Sequence, residues 1–279
     1  MRLAGIIGHP VAHSLSPVFQ QAAFEACGLD ARYERWDTPA EALAGRLVSL
    51  RDPKYLGANV TIPHTEAVIP LLDELGGQAA RMGAVNTIVN REGRLFGFNT
   101  DGPGFVAAVR NEAAFDPAGR RCLLLGAGGA ARGIAFALAD ARATAVAIWN
   151  RSPERAERLA RDVAASGAEV APAAEPSPAG FDLVVNCTSL GMHGTGTEAE
   201  LPCDPAQAAP GALFVDIVYA PEHTAWLQAA RAAGVRTLGG LPMLIYQGAL
   251  AFELWTGVHA PVETMFEAAR KALAARGTP

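Results

Sequence analysis

The residues whose types and spacing most clearly indicate a chemical role lie at a glycine-rich turn in the middle of the sequence. Cys122–Leu125 is a short apolar run without alternation, which is typical of a parallel strand buried on both faces. Gly126–Ala131 (GAGGAA) follows, and a helical pattern continues from Arg132. A strand, a G-x-G-x-x-A turn and a helix in this order favour a dinucleotide site, where helix N–H groups meet a pyrophosphate. The alternative is an ordinary strand-to-helix turn.

The end of the next predicted strand carries residues suited to a phosphate. An NAD site usually has Asp or Glu about 20 residues after the glycine turn, where it accepts from the ribose. This sequence has Asn150 there, followed by Arg151 and, one turn further on, Arg155. Two guanidiniums can bind a 2′-phosphate that a carboxylate would repel, so the pattern predicts NADP. A solvated helix start, with Ser152 as N-cap and Pro153 at its first position, explains the same residues, and both interpretations can hold together.

A second group of polar residues lies at the predicted ends of elements in the first hundred residues. This group comprises Ser14, Ser16, Asn59, Thr61, Asn86, Asn99, Thr100 and Asp101. Strand ends that face a cleft between domains are a usual location for a polar ligand site. Each cluster alone is also explained as a cap or turn. Ser16, which is followed by Pro17, is predicted to be the N-cap of a helix.

The elements that must position these residues alternate between strands and helices. Strands are predicted at 3–7, 31–36, 56–62, 86–89 and 95–98, with helices between them. After the Gly102-Pro103-Gly104 run, strands are predicted at 122–125, 145–149, 169–171, 182–186, 213–217 and 235–238, and helices at 130–141, 153–166, 241–255 and 261–275. The predicted fold class is therefore α/β, with an N-terminal α/β domain and a Rossmann-type doubly wound parallel sheet.

Composition excludes several classes of function. The 279 residues are 50% hydrophobic and 18% charged, with a net charge of −5 and no basic patch, so nucleic acid is not expected as a partner. The four cysteines are far apart and lack C-x-x-C spacing, which favours a reduced, cytoplasmic protein without a metal site. No signal-peptide pattern and no apolar run of about 18 residues occurs, so no membrane association is expected.

Several motifs, in order, resemble the shikimate dehydrogenase family over nearly the whole sequence. They are Gly8–Pro17 (GHPVAHSLSP), Gly57–Pro63 (GANVTIP), Gly83–Thr87 (GAVNT), Asn99–Gly102 (NTDG), Gly126–Ala130 (GAGGA), Asn150–Arg155 (NRSPER), Asn186–Ser189 (NCTS), Asp216–Tyr219 (DIVY) and Gly240–Gln247 (GLPMLIYQ). The resemblance implies a discontinuous substrate domain of residues 1–102 and 240–279, and an NADP domain of residues 103–239. It implies reversible reduction of 3-dehydroshikimate to shikimate, a small cyclic hydroxy acid. We expect a monomer or homodimer.

The resemblance also assigns roles to individual residues. Ser14 and Ser16 would bind the substrate carboxylate, and Asn59 and Tyr219 would line the site. The ring hydroxyls would be held by Thr61, Asn86, Asp101 and Gln247. The residues expected to line the cofactor are Gly126, Ala127, Gly128, Gly129, Ala130, Asn150, Arg151, Ser152, Arg155, Thr188, Ile217 and Gly240.

The sequence departs from the family at one catalytic position. After Asn-Val-Thr-Ile-Pro, the family has an aromatic residue or histidine and then lysine, whereas this sequence has His64 and Thr65. Thr65 thus stands where the family has the lysine that pairs with an aspartate, here Asp101. An ammonium group stabilises a developing alkoxide and helps move its proton, whereas a threonine hydroxyl is neutral and a very weak acid. Histidine is ordinary at the preceding position in lysine-containing relatives, so His64 is not assigned as the replacement.

Three functions are compatible with this departure. The first is a shikimate dehydrogenase with a weakened acid–base pair. The second is an oxidoreductase of the same type that acts on a related cyclic polyol acid, such as quinate or an aminoshikimate. The third is a catalytically silent NADP-binding protein with a sensing role.

Overall fold

The predicted alternation of strands and helices is present, and it is divided between two separate sheets. The computed structural model describes residues 1–165 and 167–276. It has a first unit, Met1–Thr100 together with the chain from Ile245 on, and a second unit, Asp101–Leu244. Ser166, in one predicted helix, and residues 277–279, in the predicted substrate domain, lie outside the described residues.

The first unit is built on a mixed sheet. Its elements up to Thr100 are β1 (Arg2–Gly8), α1 (Ser16–Ala26), β2 (Ala31–Asp37), α2 (Leu43–Ser49), β3 (Tyr55–Val60), β4 (Glu74–Leu75), α3 (Gly77–Met82), β5 (Thr87–Arg91) and β6 (Arg94–Phe98). The strand order is β2-β1-β3-β5-β6-β4. β1 is parallel to β2 and β3, whereas β5 is antiparallel to β3 and β6. Apolar side chains, among them Ile7, Ala58 and Ile88, form a buried core on this sheet.

The second unit is built on a fully parallel sheet. Its elements, and those that complete the chain, are α4 (Asp101–Ala113), β7 (Arg121–Leu125), α5 (Gly129–Asp140), β8 (Ala145–Trp149), α6 (Pro153–Ala164), β9 (Val170–Pro172), β10 (Leu183–Asn186), β11 (Leu213–Asp216), α7 (Ala225–Ala232), β12 (Arg236–Leu238), α8 (Leu241–Thr256) and α9 (Val262–Arg276). The strand order is β12-β11-β10-β7-β8-β9, with every pairing parallel. This is the 3-2-1-4-5-6 order of the Rossmann fold, read from β9. The predicted fold class is confirmed.

Most of the predicted element bounds agree with the structure. In the sheet of the second unit, each predicted strand begins and ends within one residue of the observed one. The strands are easy to locate because Leu123, Leu124 and Val184 are buried, as expected where helices cover both faces of a parallel sheet. No helix in the described ranges combines the length and apolar character needed to cross a bilayer.

The predicted N-cap role of Ser16 is wrong. Ser16 is the first residue of α1, the cap position is Leu15 in a helical conformation, and no side chain makes a capping hydrogen bond there. The backbone N–H of Ser16 instead donates to Oγ of Ser14, at 3.2 Å. Ser14 therefore supplies the local acceptor at the helix start.

Gly57 lets the C-terminal part of the first unit attach to its sheet. A Cβ atom at Gly57 would lie 2.0 Å from the carbonyl oxygen of Ile88 and 2.6 Å from Nε1 of Trp255. The indole of Trp255, on α8, donates to that same carbonyl at 2.9 Å. Any larger residue at position 57 would therefore displace the hydrogen bond that ties α8 to β5.

Candidate active site

The glycine turn has the geometry that its sequence predicts. Gly126 follows β7 with φ of +117°, and its N–H donates to the carbonyl of Trp149 at 2.7 Å. A Cβ at Gly126 would approach the Cys187 carbonyl oxygen at 3.1 Å, so the turn passes close to the end of β10. Gly128 is the N-cap of α5, and a Cβ there would meet no atom within 4 Å. Open space thus lies beside exposed backbone at the start of a helix, which fits the approach of a phosphate group.

The predicted phosphate-reading residues lie at the start of α6. Nδ2 of Asn150 donates to the carbonyl of Ser152 at 3.0 Å, and Ser152 is the N-cap residue, although its hydroxyl makes no capping hydrogen bond. Arg151 and Arg155 are exposed, and neither forms an ion pair with another described residue. By contrast, the Arg132 guanidinium is 2.6 Å from a carboxylate oxygen of Asp162. The two exposed guanidiniums are therefore available to an anion.

The other predicted cofactor residues surround a buried polar cluster at the ends of β10 and β11. Asp216 accepts hydrogen bonds from Nδ2 of Asn186 at 3.0 Å, from the N–H of Val218 at 3.0 Å and from the hydroxyl of Thr224 at 2.7 Å. The hydroxyl of Thr188 donates to Oδ1 of Asn186 at 2.7 Å. We call Asn186, Thr188, Asp216 and Thr224 the Asp216 cluster.

Burial makes the Asp216 carboxyl hard to ionise. Its side chain is fully buried, and desolvation raises its pKa from 3.8 to about 6, although the donors from Thr224, Val218 and Asn186 act in the opposite direction. The two neighbouring predicted residues are packed tightly as well. A Cβ at Gly240 would lie 2.2 Å from the carbonyl oxygen of Ile217. The backbone at the ends of these strands is thus held in one arrangement.

A second buried polar network occupies the sheet of the first unit. The hydroxyl of Tyr33 donates to Oδ1 of Asn59 at 2.7 Å. Nδ2 of Asn59 donates to Oγ1 of Thr87 at 3.2 Å, and that hydroxyl donates to Oδ1 of Asn86 at 3.0 Å. We call Tyr33, Asn59, Thr87 and Asn86 the Tyr33 network. It connects two predicted substrate residues, Asn59 and Asn86.

The loop after β6 completes the position of Asn86. The N–H of Thr100 donates to Oδ1 of Asn86 at 2.8 Å, and Nδ2 of Asn86 donates to Oγ1 of Thr100 at 3.0 Å. The backbone N–H of Asn86 itself donates to the carbonyl of Phe98 at 3.1 Å. Both sides of the Asn86 amide are therefore fixed from the segment that leads directly into Asp101.

The residues at the lysine position, His64 and Thr65, are both hydrogen-bonded to the backbone of the first unit. Thr65 is half-buried, and its carbonyl accepts from the N–H of Val85 at 2.8 Å. Among the residues described, its hydroxyl has no hydrogen-bond partner. His64 is 1% exposed, and its Nε2 lies 2.6 Å from the carbonyl oxygen of Thr38. The imidazole is thus engaged with the backbone, which agrees with not assigning it as a substitute for lysine.

The predicted substrate residues fall in both units. Ser14, Ser16, Asn59, Thr61, Asn86 and Gln247 belong to the first unit, and Asp101 and Tyr219 belong to the second. Thr61 follows β3 and donates its N–H to the Ile7 carbonyl at 2.9 Å, whereas Gln247 is a buried residue of α8. Asp101 is the first residue of α4. All the predicted cofactor residues lie in the second unit.

Sequence reasoning missed Tyr33, Thr87 and Asp216 as contributors to these sites. Thr87 and Asp216 lie inside motifs that were recognised, directly beside Asn86 and Ile217. Tyr33 lies in none of them. A buried tyrosine needs a partner for its hydroxyl, which is the general signal that could have directed attention to it.

The fold and these features define a two-unit α/β protein whose second unit has the architecture and the glycine turn of a dinucleotide-binding domain. Three family models match the chain. Their descriptions are "Shikimate dehydrogenase substrate binding domain" for residues 6–88, "Shikimate / quinate 5-dehydrogenase" for residues 109–221 and "Shikimate 5'-dehydrogenase C-terminal domain" for residues 240–270. Together they cover more than half of the sequence.

Individual proteins are similar over nearly the full length. The shikimate dehydrogenase (NADP(+)) of Moorella thermoacetica is 48% identical over 280 residues, which covers 98% of this chain and 94% of that protein. The crystal structure of shikimate 5-dehydrogenase from Thermus thermophilus, in complex with NADP(H) and shikimate, has a TM-score of 0.88 and 43% identity, and covers 98% of this chain and 100% of that one. Quinate dehydrogenase from Corynebacterium glutamicum, in complex with NAD, has a TM-score of 0.88 at 32% identity, with 97% and 99% covered. The chain belongs to the shikimate dehydrogenase family.

Proposed function

We propose that this chain is an NADP-dependent shikimate dehydrogenase that reversibly reduces 3-dehydroshikimate to shikimate in the cytoplasm, as a monomer or homodimer. The observation that carries the proposal is the open glycine turn, with two exposed guanidiniums near the start of α6 that form no ion pair with a described residue, in a chain of this family. Relatives that bear this activity in their names match 98% of the sequence, which supports the same assignment.

The second unit would hold the cofactor. The open space beside Gly128 admits a pyrophosphate at the start of α5, and Arg151 and Arg155 would bind the 2′-phosphate with charge-assisted hydrogen bonds. Bound NADP supplies a nicotinamide carbon that gives or accepts a hydride. The remaining cofactor residues would contribute shape: Gly126, Ala127, Gly129, Ala130, Asn150, Ser152, Thr188, Ile217 and Gly240.

The first unit would hold most of the substrate. Ser14 and Ser16 would donate to its carboxylate, and Asn59, Thr61, Asn86 and Gln247 would orient its ring hydroxyls. Asp101 would exchange the proton of the reacting hydroxyl, with Tyr219 lining the site. This division of roles matches a substrate domain of residues 1–102 and 240–279 and an NADP domain of residues 103–239. The division of the structure at Thr100 and Leu244 supports it.

Thr65 is expected to weaken the chemical step without affecting cofactor binding. A general acid or base contributes about 10²–10⁴-fold to a rate, and the threonine hydroxyl cannot take that role at neutral pH. The half-buried Thr65 also has no hydrogen-bond partner among the described residues that would mark it as part of another proton path. Slow turnover with ordinary NADP affinity is therefore the signature we expect.

The presence of Thr65 in place of the family's lysine leaves two further functions to be tested. A related cyclic acid, such as quinate or an aminoshikimate, is supported by the shared shikimate/quinate family description and by the similarity to a quinate dehydrogenase. An NADP-binding sensor without turnover is supported by the missing lysine.

The deciding experiment compares the natural chain with Thr65→Lys. NADPH oxidation is measured with 3-dehydroshikimate, and NADP reduction with shikimate, quinate and an aminoshikimate, alongside a titration of NADPH binding. We expect shikimate turnover in the natural chain and a kcat more than tenfold higher in Thr65→Lys, because the ammonium restores acid–base help. Tight NADPH binding with no turnover on any acid would favour the sensor, and preferred turnover of quinate would favour the second function.

A further inference from the structure

Two segments of the predicted cofactor site lie side by side at the ends of neighbouring strands in the second unit. Asn186 ends β10 and Asp216 ends β11, and these two residues are partners in the parallel pairing of the strands. Thr188 follows the first strand and Ile217 follows the second, and both are predicted cofactor residues. The N–H of Ile217 donates to the carbonyl of Asn186 at 3.2 Å. The backbone alone therefore makes the two segments neighbours.

The Asn186 side chain holds the first of these segments. Its Oδ1 accepts from both the N–H and the hydroxyl of Thr188, at 3.0 and 2.7 Å, and its Nδ2 donates to the carbonyl of Leu190 at 3.2 Å. The Thr188 hydroxyl in turn accepts from the N–H of Leu190 at 3.1 Å. A backbone N–H can only donate and a carbonyl can only accept, so these partners fix the orientation of the Asn186 amide.

The Asp216 carboxyl group joins this amide to the second segment. Its Oδ1 accepts from Nδ2 of Asn186 and from the N–H of Val218, both at 3.0 Å. The carbonyl of Val218 accepts from the N–H of Gly240 at 3.2 Å, and a Cβ at Gly240 would lie 2.2 Å from the Ile217 carbonyl oxygen. One carboxyl oxygen therefore connects the segments that carry three of the predicted cofactor residues.

The same carboxyl group is enclosed by protein. Asp216, Asn186 and Thr224 are each 0% exposed. The second carboxyl oxygen, Oδ2, accepts from the Thr224 hydroxyl at 2.7 Å, and Thr224 is the N-cap residue of α7. Removing the carboxyl group would leave the N–H of Val218 and one N–H of the Asn186 amide buried without this acceptor, which is unfavourable.

We propose that Asp216 is a positioning residue for NADP, and that it holds Thr188 and Ile217, which would line the cofactor, in one fixed relative geometry. It acts on Thr188 through the Asn186 amide and on Ile217 through the adjoining N–H of Val218. The inference rests on the proposed function for the identity of the cofactor. Segments that are ordered in advance bind more tightly, because less ordering is left for the binding step.

The primary test is a calorimetric titration of NADPH into Asp216→Ala, at a temperature at which circular dichroism shows the variant to be folded. We expect the dissociation constant of NADPH to rise about tenfold, because the Thr188 and Ile217 segments must then be ordered during binding. Asp216→Asn keeps an oxygen that can accept from Asn186 and Val218, so its dissociation constant should stay within about twofold of the natural value. Lower thermal stability of Asp216→Ala with unchanged NADPH affinity would show a purely structural role and overturn the proposal.

Asp182 provides the matched control, because it lies directly before β10, at the opposite end of that strand from Asn186. Its Oδ2 accepts from the N–H of Arg121 at 2.8 Å, so Asp182→Ala also removes a carboxyl group that accepts from the backbone of the same sheet. The NADPH dissociation constant of this variant should stay within about twofold of the natural value, because the sites are distant. A rise equal to that of Asp216→Ala would overturn the proposal.

Two further variants test the connection itself. Asn186→Ala breaks it on the side of Thr188, so it should also raise the NADPH dissociation constant about tenfold, even if Asp216→Ala folds poorly. Thr188→Val should raise this constant less in the Asp216→Ala background than in the natural chain, because Thr188 has already lost its fixed position. An unchanged constant in Asn186→Ala, or strictly additive effects of Thr188→Val and Asp216→Ala, would overturn the proposal.

Crystal structures of the natural chain with and without NADPH test the proposal without any substitution. Thr188 and Ile217 should both contact the cofactor, and their positions relative to Asp216 should be the same in the two structures. A missing contact, or a rearrangement of either segment on binding, would overturn the proposal. These measurements do not depend on turnover. A chain that binds NADPH but acts on no cyclic acid would refute the proposed dehydrogenase activity alone, and the role of Asp216 would still be decided.

Discussion

In the first unit, the predicted ligand residues Asn59 and Asn86 are each 5% exposed and are hydrogen-bonded within the Tyr33 network. In the second unit, Arg151 and Arg155 are exposed beside a glycine turn that offers bare backbone. The two units therefore present their predicted binding groups in opposite ways. The first unit offers an ordered network of buried neutral groups, and the second offers exposed positive charges.

The difference follows from what each unit would bind. A neutral ring hydroxyl is both donor and acceptor, so amides and hydroxyls recognise it selectively when the direction of their own hydrogen bonds is fixed. A phosphate accepts at every oxygen and carries charge, so flexible guanidiniums bind it from several directions. Substrate recognition should consequently be sensitive to small displacements, whereas cofactor recognition should decline gradually as charges are removed.

The largest effect is expected from a substitution at Asp101, which should slow the reaction and leave the binding of substrate and cofactor nearly unchanged. Asp101→Asn keeps the size of the side chain and removes its ability to take a proton. We expect kcat for shikimate to fall about 100-fold or more, with the dissociation constants of NADPH and shikimate changed less than about threefold. Steady-state kinetics and calorimetry measure the two quantities. Retained turnover would mean that protons leave the substrate through a group other than Asp101.

The second unit also contains a buried hydrogen-bond network, the Asp216 cluster. Its behaviour can therefore be compared with that of the exposed arginines of the same unit. A carboxyl with a folded-state pKa of about 6, raised from 3.8 by burial, stabilises the fold when protonated. This contribution is present below pH 3.8 and is lost as the pH rises through 6. The free energy of unfolding of Asp216→Asn, relative to the natural chain, should therefore rise by about 1–3 kcal/mol between about pH 4.5 and 7.5.

Urea unfolding of both chains at the two pH values checks this expectation. The variant is expected to fold because Thr224 can reverse its hydroxyl and accept from the new amide. A stability difference that does not change with pH would contradict the assignment of a raised pKa to this carboxyl.

The role of the exposed positive charge in the second unit is tested by Arg151→Ala. Loss of one charge-assisted phosphate contact costs about 1.5–3 kcal/mol, so the dissociation constant of NADP should rise at least about tenfold while that of NAD stays nearly constant. Arg158→Ala, which removes an exposed arginine within α6, should leave both constants unchanged. Equal losses for NADP and NAD in Arg151→Ala would show that this arginine does not recognise the 2′-phosphate.

The smallest effect is expected at Ser14, which is not part of the Tyr33 network. Ser14→Ala removes one donor to the carboxylate, and we expect KM for shikimate to rise about fivefold, equivalent to roughly 1 kcal/mol, without a change in kcat. Ser49→Ala, which removes an exposed helix serine elsewhere in the first unit, provides the control. An unaltered KM in Ser14→Ala would mean that the carboxylate is bound elsewhere.

The sequence predicted the second unit more completely than the first for a physical reason. Its central strands β7 and β10 are buried on both faces, so each is a continuous apolar run, and its glycine turn is a local motif. The Tyr33 network could not be predicted in this way. Its main link joins residues 26 positions apart, on strands separated by a third, so it depends on the order of strands in the sheet.

The Ser16 error has a local cause. Serine before proline is a frequent N-cap pattern, and the local sequence supports it. In the structure Ser16 is already the first residue of α1, and its N–H donates to Oγ of Ser14, two residues earlier. The role in carboxylate binding that the family resemblance gives to Ser16 stays a prediction.

The hydrogen bond from Trp255 to Ile88 has a consequence for the order of events during translation. The first hundred residues are synthesised before the second unit, but their sheet is completed by α8, through this bond and that from Gln20 to the carbonyl of Gly248. The second unit is continuous, and domains generally fold as units once their residues are available. We therefore expect that, in a nascent chain that has reached Leu244, the Rossmann sheet is folded while the first unit still lacks α8. The part of the chain that is synthesised first would then complete its folding last.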